Sequence, residues 1–297
     1  MLKVKRCVLY SGMRKSSTDK NWKERLIIKY SEKYSAFGYQ KIAYMLRKDG
    51  IKISKKFVQK VRCQSCLQVM TRKPRTVRQG LSTGLPTKAM HKNHVWCWDF
   101  MFDKTQRGGG IKIFNLIDEY TRECHAIHID RALKAEDVKM VLLEAIEQHG
   151  APEFIRSDSG SEFIARPIQE FLKEMEIKSI YIAPGNPWQN GFAESFNSKF
   201  RAEFLERELM YTLMEARVLA EDWRIFYNET RPHRSLEMLT PKEFAESLDN
   251  RTSQNATSSR GSIRDVYDRY ANIVDIYKEP YLNLINETQL SFSHKMV

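Results

Sequence analysis

The run Val95–Asp103 constrains this chain more than any other segment. It alternates as a β-strand does, with Trp96, Trp98, Phe100 and Phe102 on one face and Val95, Cys97, Asp99, Met101 and Asp103 on the other. Such a strand belongs inside a core, and Asp99 then stands mid-strand among apolar neighbours. Burying a carboxylate there costs several kcal/mol, on the order of what any unpaired buried charge costs, unless hydrogen bonds or a cation compensate.

The texture downstream of His94 is one of alternating strands and helices. Strands are expected over 95–103, 111–118 and 124–129, joined by short polar or Gly-rich turns and therefore antiparallel. A helix over 135–149, a strand over 153–157, a helix over 162–175, a strand over 178–182 and a long helix from 189 follow. Strands separated by helices imply parallel crossovers, so the expectation is an α/β domain with a mixed five-stranded sheet flanked by helices.

Two further carboxylates fall at telling positions. Asp158 comes where the apolar run of the fourth strand stops, at the strand's carboxyl end, where open α/β sheets collect ligands. Glu194 lies in the first turns of the helix that follows the breaker segment Pro184–Pro187. On that helix Ala193, Phe196, Phe200 and Phe204 form the apolar stripe, and Ser198 and Arg201 share the Glu194 face at i+4 and i+7. Arg201 is thereby placed to hold a phosphate. Carboxylate oxygens are the preferred ligands of Mg²⁺ and Mn²⁺, and a pair of such ions can hold the attacking and leaving oxygens of a phosphoryl transfer.

Charge divides the 297-residue chain sharply. Residues 1–94 hold 24 Lys and Arg against 4 Asp and Glu, a net of +20, whereas the remainder carries −8. A basic module this dense is the footprint of a polyanionic partner, because neutralising phosphates releases counterions. Amphipathic helices are expected over 22–34 and 39–49, the second burying Ile42, Met45 and Leu46. Gly50 ends that helix, Ser54 is a plain N-cap, and a third helix from Lys55 buries Phe57, Val58 and Val61. Helix, tight turn and basic helix is the helix-turn-helix pattern, with Lys55, Lys56, Gln59 and Lys60 on the side that meets a DNA groove.

The expected organisation is a basic helical DNA-binding module over 1–70 and a basic linker over 71–93. The α/β domain with its C-terminal helices follows over 94–248, then a flexible polar linker over 249–261 and a tail over 262–297 without assigned role. No run of 18 uncharged apolar residues exists, which points to a cytoplasmic, nucleoid-associated protein without a membrane partner. Five cysteines in such a compartment are expected as thiols. Cys63-x-x-Cys66 followed by His91-x-x-His94 suggests a zinc site, but the intervening basic Pro- and Gly-containing stretch argues against it.

The words WCWDF, NLIDEYTRE, IRSDSGSEF, PGNPWQNGFAESFNSKFR and YNETRPHRSLEMLTP resemble the catalytic domain of the retroviral-integrase superfamily. In detail they resemble the second-frame protein of IS3-family bacterial transposases, and FGYQKIAYML resembles the helix-turn-helix module before that domain. The resemblance implies an RNase H-like fold, an acidic triad of Asp99, Asp158 and Glu194 holding two Mg²⁺ or Mn²⁺ ions, and Arg201 as the basic residue seven after the glutamate. It implies a loop carrying Gln189 and Asn190 beside the site and against DNA, and it leaves Asp103, Asp118 and Glu162 structural or peripheral. The partners it implies are double-stranded DNA, further copies of the chain and an upstream-frame transposase protein. Ser159 and Ser161 depart from the family's usual Asn and Pro, and neither is a metal ligand. Two rival readings fit parts of the pattern: a catalytically inactive DNA-binding relative, and an RNase H-type nuclease.

Overall fold

A computed structural model describes residues 18–69, 87–158, 165–182 and 190–255, and the chain divides into two compact units, residues 1–80 and 81–297. The expected tail, most of the basic linker, Gln189, Ser159, Ser161 and Glu162 lie outside the described residues.

The first unit contains α1 (Thr18–Lys33), α2 (Tyr39–Lys48) and α3 (Lys55–Gln64). Their core is Ile27, Phe37, Ile42, Ala43, Met45, Leu46, Val58 and Val61, which includes five of the six residues expected from the periodicity, while Phe57, expected to be buried, is only half-buried in the first turn of α3. Gly50 takes a φ of +81°, the left-handed conformation that closes α2 without a Cβ penalty, and Ile51 N–H then reaches the Leu46 carbonyl at 2.9 Å. Ser54 caps α3 as expected, its hydroxyl accepting from Phe57 N–H at 3.1 Å. Arg62 is buried inside the unit, donating to the carbonyls of Phe37 (2.5 Å) and Leu67 (2.6 and 3.0 Å) and so tying the turn before α2 to the chain leaving α3. Lys55, Lys56, Gln59 and Lys60 are all exposed on α3.

The second unit is built on β1 (Val95–Lys104), β2 (Gly110–Asp118), β3 (Cys124–Asp130), β4 (Phe154–Ser157) and β5 (Lys178–Tyr181), in the spatial order β3-β2-β1-β4-β5. β1, β2 and β3 pair antiparallel, while β4 and β5 join parallel through helical crossovers. That mixed five-stranded order is the RNase H-like architecture that the motifs imply. α4 (Ala135–His149) and α5 (Arg166–Glu174) cover one face, packing Leu142, Ile146, Phe171 and Leu172 on Trp96, Trp98, Phe114 and Leu116. α6 (Gly191–Phe200) and α7 (Leu213–Glu229) cover the other, packing Phe196, Phe200, Trp223 and Tyr227 on Cys97, Met101, Ile113 and Ile117.

α8 (Pro241–Asn255) runs into the stretch expected as a flexible linker from 249. Adding residues to a formed helix gains one bond per residue without a new nucleation cost, so a polar composition alone does not stop it. Residues 87–93, expected as the end of the linker, are folded onto the sheet, since Asn93 N–H donates to Asp118 (2.7 Å) and the Asn93 amide donates to the His149 carbonyl (2.6 Å).

Candidate active site

Asp99 sits at the centre of β1, on the face that looks toward α6 rather than on the tryptophan face. It is half-buried, and its two oxygens have separate anchors: Oδ1 accepts from Phe100 N–H (2.9 Å) and Oδ2 accepts from the Asn197 side-chain amide (2.7 Å). Burial pushes its pKa up from 3.8 to about 6, and the charges of Asp158 and Glu194 push the same way against those two hydrogen bonds. The three carboxylates named from sequence therefore converge on one locus, each within electrostatic reach of Asp99. Asp158 and Glu194 are exposed there, Asp158 just beyond the last residue of β4 and Glu194 in the first turn of α6.

Three carboxylates whose negative charges raise the proton affinity of the most buried member form a site with a deficit of positive charge. Its donors are all carboxylate oxygens, the ligand type that hard divalent cations take. The residues thus fit the Mg²⁺ or Mn²⁺ that the resemblance implies. The three are set more widely than the tightest trio of potential ligand atoms among the described residues, which is His91, His94 and Glu153.

In that trio both imidazole rings face one carboxylate. His91 Nε2 lies 3.1 Å and His94 Nε2 3.9 Å from the Glu153 carboxylate, with the rings stacked at 4.7 Å. Met90 N–H donates to His94 Nδ1 at 3.0 Å, so the proton of that ring sits on Nε2. A metal-binding tautomer would set two N–H groups against each other. His91 and His94 are thus engaged with Glu153, and Cys63 and Cys66 are exposed on the first unit.

The supports of the acidic locus are buried polar pairs that the sequence pattern did not expose. Asp118, fully buried at the end of β2, accepts from the N–H groups of Asn93, Tyr120 (2.6 Å) and Thr121 (3.1 Å), which fixes the turn into β3. Glu119 and Arg156, both buried, pair at 2.7 Å and tie that turn to β4 two residues before Asp158. Arg122 then lays its guanidinium 3.7 Å from the centre of the Phe192 ring, bracing the first turn of α6, where Glu194 stands.

At the far end of α6 the helix widens into one π-turn, Arg201–Leu205. Within it Glu203 forms a bidentate pair with Arg231 (2.7 and 2.5 Å), and Arg231 is only 3 % exposed. The Arg231-Pro232-His233 segment is therefore a brace under α6, with His233 packed edge-on to Tyr227 at 4.8 Å. Arg201 is exposed at the α6 terminus, seven residues after the exposed Glu194, as the helical spacing requires. Lys199 is turned back on Ser195, donating to its carbonyl at 2.9 Å, and burial lowers its pKa to about 8. Asn190, expected against DNA, is instead 5 % exposed at the start of α6, so its side chain contacts DNA only by turning outward.

Asn197 and Asn115 are the positions that motif reading missed. Asn197 lies three residues after Glu194 and so on the same helical face, which was the available signal. Asn115 interrupts the apolar run of β2 and pairs in register with Asp99, fully buried.

Residues 89–187 and 175–241 each match a sequence profile described as an integrase core domain. A 31.7 kDa protein of insertion element IS407 from Burkholderia multivorans is 31 % identical over 221 residues, 74 % of this chain and 79 % of that protein. A 39.2 kDa protein of insertion element IS476 from Xanthomonas euvesicatoria is 31 % identical over 230 residues, 77 % of this chain and 66 % of that protein. The putative transposase InsK of element IS150 from Escherichia coli is 23 % identical over 232 residues, 75 % of this chain and 82 % of that protein.

Proposed function

We propose, for a chain that belongs to the integrase-core transposases of bacterial insertion elements, that Asp99, Asp158 and Glu194 are its catalytic carboxylates in cutting and joining DNA strands. The observation that carries this reading is geometric: Asp99 stands mid-β1, Asp158 just past the end of the neighbouring parallel strand β4, and Glu194 in the first turn of α6, whose Asn197 bonds Asp99. The three residues would hold two Mg²⁺ or Mn²⁺ ions. When bound, such ions supply Lewis-acid activation of a water or 3′-hydroxyl and stabilise the leaving oxygen of the phosphodiester.

The chain's own groups do the rest. Phe100 N–H and the Asn197 amide hold the Asp99 carboxylate in one orientation. Exposed Arg201 supplies a fixed positive charge for a substrate phosphate on the same helix face as Glu194. Lys55, Lys56, Gln59 and Lys60 on α3, with Gln189 near the site, contact double-stranded DNA of the element ends and target. Because two ends must be joined, the working form is an oligomer, aided by an upstream-frame partner, in the bacterial cytoplasm at the nucleoid. Among the described residues no helix is long and apolar enough to cross a membrane.

Replacing Asp158 with Asn should abolish Mg²⁺-dependent cleavage of element-end DNA and leave DNA binding intact; retained cleavage overturns the assignment. A preference for RNA–DNA hybrids over element ends in the same assay would identify an RNase H-type nuclease instead. A calorimetric titration with Mn²⁺ that finds no carboxylate-dependent site would identify an inactive DNA-binding relative.

A further inference from the structure

Mid-strand in β2, between Phe114 and Leu116, stands a fully buried asparagine. Its amide nitrogen donates to Asn197 Oδ1 at 2.8 Å, and Asn197 Nδ2 in turn donates to Asp99 Oδ2 at 2.7 Å. The carbonyl oxygen of the same side chain, Asn115 Oδ1, is buried without a hydrogen-bond partner. A buried amide with its oxygen unused is a poor element of a core, where an apolar side chain of that shape would serve better. What it does supply is direction.

An asparagine amide has two ends, and either can be turned toward a neighbour. Asp99 Oδ2, a carboxylate acceptor, is satisfied only by the NH₂ end of Asn197. Asn115 offers its own NH₂ to the other end of that amide, so Asn197 is held with its oxygen toward β2 and its nitrogen toward β1. Asn115 and Asp99 are directly opposite one another in the β1–β2 register, which brings both within reach of one residue on α6. Phe100 N–H holds the second oxygen of Asp99. Both oxygens are thereby oriented before any cation arrives, and each keeps one lone-pair direction open.

We propose that Asn115 is a positioning residue for the acidic site: acting through Asn197, it fixes the orientation in which Asp99 presents its carboxylate to a divalent cation. It touches neither DNA nor the reacting atoms. The inference rests on Asp99 being a cation-holding carboxylate, as proposed above.

The test is a calorimetric titration of the full chain with Mn²⁺, paired with thermal unfolding in chelator. Asn115→Leu keeps the branching and the number of side-chain heavy atoms and removes the amide. It should bind Mn²⁺ about tenfold more weakly, the usual scale for losing a partner that orients a metal ligand. Its metal-free melting temperature should hold or rise, because an unsatisfied buried oxygen has been removed. A residue that only supported the fold would do the reverse, lowering the melting temperature and sparing the affinity.

The order of action is checked by a double substitution. In an Asn197→Leu background, adding Asn115→Leu should weaken Mn²⁺ binding no further, since the path through the intermediate amide is already cut. Additive losses, or a single variant within about twofold of the parent affinity, overturn the proposal. Should the Leu variant not fold, Asn115→Thr, whose hydroxyl is too short to reach Asn197 and whose shape suits a strand, carries the same readouts. Asp99→Asn separates the two levels: if it leaves Mn²⁺ binding intact, both the catalytic reading and this inference fall. If it removes binding while the Asn115 variants do not, only this inference falls.

Discussion

Replacing Asp99 with Asn should stabilise the metal-free second unit at neutral and higher pH. Burial and the Asp158 and Glu194 charges raise the Asp99 pKa from 3.8 to about 6. An acid whose pKa is raised on folding binds its proton more tightly in the folded state. Its contribution to stability is therefore full below the unfolded value and is lost as pH climbs through the folded one. The gap of roughly 2.2 pH units, at about 1.36 kcal/mol each, corresponds to about 3 kcal/mol lost by the time Asp99 is ionised. The amide that replaces it cannot ionise. It has one oxygen for two donors, Phe100 N–H and Asn197 Nδ2, so about 1 kcal/mol of hydrogen bonding is forfeited at every pH. The variant should accordingly be about 1 kcal/mol less stable than the parent in acid and about 2 kcal/mol more stable near pH 8. Urea unfolding of the full chain in chelator, followed by tryptophan fluorescence from about pH 4 to about pH 8, measures the difference. Glu123, whose pKa burial lifts to about 7, and buried Asp118 titrate in both proteins and cancel in that difference. A difference between variant and parent that does not change across this range refutes the reasoning, since it means that Asp99 is not destabilised by ionising.

Two further outcomes follow from buried and exposed charge. Glu203→Gln strands Arg231, which is 3 % exposed, and should cost about 3–5 kcal/mol in urea unfolding; a loss below about 1 kcal/mol would mean that the pair does not brace α6. Substituting Lys55, Lys56 and Lys60 with Ala should reduce the slope of log K against log salt for DNA binding by about 0.9 for each phosphate contact removed, read by fluorescence anisotropy. An unchanged slope places the DNA-binding face elsewhere.

The fold was legible wherever period and punctuation agreed. The alternation of 95–103 predicts a central strand, and Trp96 and Trp98 are indeed buried under α4 and α5 while Asp99 faces α6. Gly50 and Ser54 mark the turn into α3 because each has a local backbone duty that its residue type alone performs. Asp99, Asp158 and Glu194 were legible as a set only because the motif words name them; spacing had no means of bringing residues from two strands and a helix together. Partners chosen by the tertiary structure were hidden. Glu119–Arg156 and Glu203–Arg231 join residues 37 and 28 positions apart, with no periodic signal between them. The end of α8 was hidden for another reason, since polar residues near a helix terminus read equally as helix or linker until packing decides.

The acidic locus owes its geometry to core packing more than to its own polar contacts. Because side chains alternate faces, a one-residue slip of β1 against its neighbours would carry Asp99 to the tryptophan side and away from α6. The register that prevents this is held by Trp98 opposite Leu116 and Phe100 opposite Phe114, on the face that Asp99 does not occupy. On the other face Phe196 and Phe200 pack edge-on against Trp223 and fix the rotation of α6 about its axis. With that rotation set, Asn197 meets Asp99 and Glu194 projects from the first turn. Aromatic packing on both faces of one strand thus holds a carboxylate where its ionisation is unfavourable, and the tight core offsets that cost.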